Sequence, residues 1–255
     1  MKKIIIANWK MNPATTQEAL RLFSSVQKSA RKLRGAEVVI MPPFVYLPLF
    51  KPSRAIKLGA QDVFFKDSPA GTGAYTGGIS ARMLRALGIS YVLVGHSERR
   101  EYFGETDKII SEKLNAAVSR GLKAVLCVGE KEKVKEAFPE IVKSELKAAL
   151  ARLPRRYAAR TFITYEPVWA ISTMKGAKPD TPQNFFEMSI FIRRAILDIW
   201  GKAAALKIPI LYGGSVNSKN AGGFLGVKGT HGLLVGGASL RAEEFSKILD
   251  LAKRT

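Results

Sequence analysis

Cysteine is nearly absent from this 255-residue chain, which has only Cys127. A lone cysteine forms no internal disulfide and builds no thiolate zinc site. That fits a reducing, cytoplasmic setting, and Cys127 reads as a small buried hydrophobe. Histidine is almost as scarce, with His96 and His231. No stretch approaches the ~20 apolar residues of a membrane-spanning helix. The opening "MKKIIIANWK" starts basic, but its apolar run ends at Ala7. A signal-peptide core needs ~7–15 apolar residues, so the segment reads as a first strand. Acidic residues are outnumbered 21 to 41, giving a net charge of +20. Such a charge favours anionic partners, either nucleic acid or phosphorylated metabolites. The basic residues are spread through "RKLR", "KEKVK", "PRRYAAR" and "IRRAI", as on a solvated surface, so nucleic-acid binding is the weaker reading. There is no low-complexity tract, no linker and no sign of a second domain, so 1–255 reads as one domain.

Hydrophobic residues make up 47% of the chain, enough for a large core. They fall into short apolar runs alternating with longer helix-like segments. The strand candidates are Lys3–Ala7, "AEVVIM", "AIKLGAQ", "SYVLVG", "LKAVLCVG", "TFITYE", "IPILYGG" and "GLLVGG". Between them lie helix signals. Thr15 and Glu18 form a capping box ahead of a helix that runs towards Gly35, and Ser80 caps "ARMLRAL". A helix is expected over Thr106–Arg120, and Thr181 precedes a helix with Pro182 at its first position. Pro139 divides the charged stretch Lys131–Arg152. Asn217 and Ser218 are expected to open a short helix, and "AEEFSKILDLAKR" to close the chain. Alternating units of this kind imply parallel strands joined by crossovers. Continuously apolar runs imply strands covered on both faces. Eight units predict a single (β/α)8 barrel, an α/β fold with outer helices. A doubly wound open sheet is the runner-up, but no G-x-G-x-x-G follows the first strand.

In a parallel barrel the active site lies at the carboxyl ends of the strands. That rule gathers Asn8 and Lys10 after strand one, His96 and Glu98 after strand four, Glu166 at the end of strand six, Ser215 after strand seven, and Gly236 and Gly237 after strand eight. "YGGS" and "VGGAS" let backbone N–H groups approach an oxyanion without a Cβ in the way, and loops seven and eight recurrently bind phosphate in this fold. A carboxylate base, an imidazole, an amine and a phosphate grip together suit proton abstraction beside a carbonyl. Nothing points to a metal, a nicotinamide or a covalent nucleophile. His231 reads as structural.

The chain resembles the triosephosphate isomerase family along nearly its whole length. The resemblance is carried by "ANWKMN" (7–12), "GAQDV" (59–63), "GAYTG" (73–77), "VGHSERR" (94–100), "AVLCVGE" (124–130), "YEPVWAI" (165–171), "YGGSV" (212–216) and "GLLVGGASL" (232–240). It implies cofactor-free interconversion of dihydroxyacetone phosphate and D-glyceraldehyde 3-phosphate through an enediolate, in glycolysis and gluconeogenesis. By resemblance, Glu166 is the base and His96 the neutral electrophile, a pair that is also a general worked example of tuned acid–base chemistry. Asn8 and Lys10 contact substrate, Glu98 supports them, and Ser172, Ser215, Gly236 and Gly237 hold the phosphate. A lid is expected over Pro167–Ala177, with Trp169 moving against Glu130, and so is a homodimer. The alternatives are another sugar-phosphate barrel enzyme, such as an epimerase, and a basic nucleic-acid-binding protein.

The chain departs from the family pattern in two places. Its lid reads "AISTM", with Ser172 and Met174 where the family has glycines. The segment before "GAYTG" is longer than the family's, around "SPAGT", and Gly78 stands where a glutamate partner for Arg99 is expected. That predicts an Arg99 short of a counter-charge.

Overall fold

The computed structural model describes residues 2–66, 70–133, 138–171 and 176–253. Among them, eight parallel strands close into a barrel in sequence order. They are β1 (Lys3–Asn8), β2 (Ala36–Met41), β3 (Ile56–Ala60), β4 (Tyr91–Val94), β5 (Lys123–Val128), β6 (Thr161–Tyr165), β7 (Ile210–Tyr212) and β8 (Thr230–Val235). Closure is made by β8 against β1, with Ile4 opposite Gly232 and Ala7 opposite Val235. A side chain at Gly232 would start 1.8 Å from the Ile4 carbonyl oxygen, so the seam depends on glycine there.

The continuous apolar runs are explained by two cores. Successive side chains on a strand point to opposite faces. Ile4, Ile6, Val39, Met41, Leu93, Val125, Cys127, Phe162, Leu211 and Leu234 fill the barrel interior. The alternate set, with Ile5, Ala7, Val38, Ile40, Val92, Val94, Leu126 and Ile163, packs outward against the helices. Gly59 on β3 leaves room for Met41, whose side chain lies 2.8 Å from where a Cβ would stand.

The outer layer comprises α1 (Thr16–Arg31), α2 (Ala81–Ala86), α3 (Ser97–Tyr102), α4 (Asp107–Ser119), α5 (Glu140–Leu150), α6 (Pro182–Trp200), α7 (Lys202–Lys207), α8 (Ala221–Gly226) and α9 (Ala242–Leu251). The expected caps are present. Thr15 and Glu18 form the capping box, and Ser80 and Thr181 each accept a first-turn N–H; Thr106, expected as the first residue of its helix, instead caps α4 by accepting from Ile109. The helix expected from Asn217 begins later, at Ala221. The Asn217 side chain instead accepts from the N–H groups of Lys219 (2.9 Å) and Asn220 (3.1 Å). An asparagine that bonds the backbone two residues on makes a turn in competition with helix. In the charged stretch 131–152, α5 begins at Glu140, directly after Pro139, and 134–137 lie outside the described residues. None of the described helices is long and apolar enough to cross a membrane.

Arg99 has the counter-charges that Gly78 was expected to deny it. Its guanidinium pairs with Glu105 and, at 2.9 Å, with Asp62. Lys113 bridges the same two carboxylates at 2.5 Å each. The four charges compensate one another within the chain, which is what partly buried ions require. The guanidinium also stacks 4.3 Å from the Phe103 ring centroid.

Candidate active site

Asn8, Lys10, His96, Glu166, Ser215, Gly236 and Gly237 line one cavity of about 190 Å3 at the carboxyl ends of the strands. Glu98 does not line it and reaches it through Lys10, whose ammonium lies 2.6 Å from the Glu98 carboxylate. Ser172 lies outside the described residues, as do Thr173, Met174 and Lys175 of the expected lid.

The backbone places Lys10 at a local cost. It is the one described non-glycine residue with positive φ, at +52°, a conformation that an L-residue holds only when its surroundings enforce it. Two contacts do so. The buried Asn8 carboxamide accepts the Lys10 N–H at 3.0 Å, and Gln61 donates to the Lys10 carbonyl at 2.8 Å. The result is an ammonium aimed across the mouth, with its side chain packed beside Gly236.

His96 caps α3, and its Nδ1 accepts the backbone N–H of Glu98 at 3.3 Å. An accepting Nδ1 assigns the ring proton to Nε2. That nitrogen lies 3.0 Å from Glu166 Oε1. Glu166 is 2% exposed. Its carboxylate accepts both the N–H and the hydroxyl of Ser97, each at 3.0 Å. A buried anion is therefore held by three donors at a strand end, one of them the imidazole. Beside it, burial pushes the Cys127 thiol well above its ordinary range, with the Glu166 carboxylate adding to the effect. Cys127 is accordingly the small hydrophobe its scarcity suggested.

The opposite wall is backbone. Gly213, Gly214, Ser215, Gly236 and Gly237 frame it, and a short 3-10 turn starts at Gly237. A Cβ at Gly213 would lie 2.4 Å from the Thr164 methyl, and one at Gly214 would lie 2.3 Å from the Tyr212 hydroxyl. Both glycines are required by close packing, and the Gly213 N–H donates to the Tyr165 carbonyl at 2.8 Å. The start of the expected lid is braced by Glu130, which accepts from Tyr165 and from Trp169 at 2.7 Å each. Lys178 donates to the Trp169 carbonyl at 3.1 Å, tying the segment's two described ends.

Strand-end reasoning did not select Ser97, Asn12, Gln61 or Ile171. Ser97 adjoins His96 in "GHSERR", and a hydroxyl next to a strand-end histidine was the available signal. Gln61 ends the third strand candidate, so the strand-end signal was available there too, and Ile171 lies in the expected lid.

A closed parallel barrel whose mouth joins a buried carboxylate, an Nε2–H imidazole, an ammonium and glycine-framed N–H groups defines an isomerase-type acid–base enzyme for small phosphorylated substrates. Comparison with known proteins narrows this class. The triosephosphate isomerase family model matches residues 3–252. The triosephosphate isomerase of Dehalococcoides mccartyi is 44% identical over 254 residues, covering 97% of this chain and 96% of that protein. Those of Caldanaerobacter subterraneus subsp. tengcongensis and Citrifermentans bemidjiense are 41% and 40% identical, covering 98% and 97% of this chain and 99% and 98% of theirs. The chain belongs to the triosephosphate isomerase family. It is an isomerase of triose phosphates, interconverting dihydroxyacetone phosphate and D-glyceraldehyde 3-phosphate in glycolysis.

Proposed function

We propose that Glu166 is the base of this isomerisation and His96 its electrophile. The observation that carries the proposal is the 3.0 Å approach of the His96 Nε2 to the Glu166 carboxylate inside the glycine-framed cavity. A triose phosphate bound there replaces Glu166 as the acceptor of the Nε2 proton, through its carbonyl oxygen. The freed carboxylate takes a proton from the adjacent carbon. The C–H electron pair becomes the C=C bond of an enediolate, and the carbonyl pair moves to oxygen, where His96 and Lys10 stabilise it. His96 gives its Nε2 proton to that oxygen and takes up the hydroxyl proton of the other, so that as the carboxyl returns its proton to the neighbouring carbon the second oxygen becomes the new carbonyl, and nothing is oxidised or reduced overall. Asn8 holds the Lys10 turn and contacts substrate, and Glu98 orients the ammonium. The N–H groups of Ser172, Ser215, Gly236 and Gly237 receive the phosphate, and closure of the lid over Pro167–Ala177 keeps water from the enediolate.

The same reading makes the protein a one-domain, cytoplasmic homodimer that binds neither nucleic acid nor membrane. Exposed apolar side chains on the segments that follow β1, β2 and β4 support the dimer, chiefly Met11, Val45, Tyr102 and Phe103. The roles are tested by coupled assay of glyceraldehyde 3-phosphate isomerisation for wild type beside Glu166→Asp. Withdrawing the carboxylate by one methylene is expected to cost ~10²-fold in kcat, and unchanged turnover would refute the base assignment.

A further inference from the structure

We propose that Arg100 and Glu145 are a positioning pair that fixes the distance between the backbone carrying His96 and the backbone carrying Glu166; the proposal rests on the roles just assigned to those two residues. Neither member lines the substrate cavity. Both line a second cavity, of about 380 Å3, behind Glu166.

On the Glu166 side, the key residue is Gly129, just past β5. A Cβ there would start 1.9 Å from the Glu166 carbonyl oxygen, so the two backbones are in direct contact. Around that contact, Glu166 donates its N–H to the Val128 carbonyl at 2.8 Å and Val168 donates to Glu130 at 3.0 Å. Segments 128–130 and 166–168 therefore shift together. The Gly129 N–H points away from this ribbon, to Glu145 Oε2 on α5 at 3.0 Å.

On the His96 side, Gly95 has φ +73°, and its carbonyl accepts from Arg100 Nε at 3.1 Å. The same guanidinium turns Nη1 to Asp107 at 2.6 Å and to Glu145 Oε1 at 3.4 Å. One continuous path thus runs Gly95, Arg100, Glu145, Gly129, with both Glu145 oxygens engaged. It spans the gap between the residue before the electrophile and the residue under the base.

The pair is an expensive way to fill space. Glu145 is 5% exposed, and burial raises its carboxyl to about 7 even with Arg100 alongside. Apolar residues commonly replace buried ion pairs without loss of stability. An apolar residue here would strand the Gly129 N–H and release the link to Gly95. Reacting groups misplaced by ~1 Å can lose ~10²-fold in rate, so a bridge that sets this spacing affects turnover without touching substrate.

The test compares purified full-length variants by kcat, KM and thermal midpoint. Glu145→Asp keeps the charge but withdraws it from Gly129. It is expected to lower kcat about tenfold with KM within about twofold. Glu145→Gln keeps an oxygen acceptor for Gly129 and is expected to retain kcat within about threefold. Arg100→Lys cannot serve Gly95 and Asp107 together, and should lose kcat like Glu145→Asp. The double variant should lose no more than the worse single one, because the two act as a unit. A lower midpoint with unchanged kcat, a loss confined to KM, or single losses that multiply would each overturn the pair. If Glu145→Asp fails to fold, Arg100→Lys carries the same test. Glu166→Gln run alongside separates the two readings. Full turnover there overturns the base assignment, whereas full turnover in Glu145→Asp and Arg100→Lys alone overturns the bridge.

Discussion

Converting Glu145 to glutamine should change how stability depends on pH, and the sign follows from its surroundings. The carboxyl sits against Arg100 from α3, Asp107 from α4, Cys127 and the Gly129 N–H at the end of β5, and Glu166 from β6. Burial dominates, raising it from an ordinary 4.5 to about 7, while Arg100 and the Gly129 N–H oppose the rise. The folded chain therefore binds this proton more tightly than the unfolded chain. Below about pH 4.5 both states are protonated and the group is neutral in its effect. As pH rises towards 7 the unfolded state ionises first, and folding stability falls. Above 7 the loss is complete. At about 1.4 kcal/mol for each tenfold in proton affinity, the interval between 4.5 and about 7 amounts to about 3 kcal/mol. The assay is urea unfolding of wild type and Glu145→Gln at a series of pH values and one protein concentration. Subtracting the two curves cancels Asp62, Glu130 and Asp180, whose carboxyls burial also raises, and His231, which burial lowers. Wild-type stability relative to the variant should fall by about 3 kcal/mol across that window. A difference that is flat with pH, or that rises, would refute the burial argument.

Gly129→Ala forces a methyl into the Glu166 backbone. It should cost at least ~1–3 kcal/mol in urea unfolding, as overpacking does, and should lower kcat in the same preparation. His96→Gln replaces the imidazole with an amide that can donate to the carbonyl oxygen but cannot give up and take back a proton, and should lower kcat ~10²–10³-fold with little change in KM; steady-state kinetics that move KM alone would assign His96 to binding instead.

The barrel was legible because its strands are buried on both faces, so each reads as an unbroken apolar run, and because capping is local chemistry. Thr15 with Glu18 and Thr181 with Pro182 declare helix starts within four residues. Strand ends are as informative, since a parallel barrel turns every one of them towards the same mouth. Asn8, Lys10, His96, Glu166 and Ser215 could be gathered by that rule alone. What stayed hidden depends on contacts between distant segments. Ser97 meets Glu166 across 69 residues of sequence, and Lys113 meets Asp62 across 51. The second contact belongs to the cluster that supplies Arg99's counter-charges, and it answers the missing glutamate at Gly78 in a way no local pattern reveals. Asn217 misled for a different reason. Asparagine signals both helix caps and turns, and its side chain here satisfies the two following N–H groups before any helix begins.

The central claim is that Glu166 moves the proton between the two carbons. Isomerisation of glyceraldehyde 3-phosphate in deuterium oxide, followed by NMR for wild type and Glu166→Gln, tests it most directly. The account predicts that wild type carries substrate hydrogen from C2 to C1 of dihydroxyacetone phosphate, with deuterium entering C1 only to the extent that the carboxyl exchanges with solvent, and a well-folded variant slowed ~10²–10⁴-fold. Equal rates in the two proteins would contradict it.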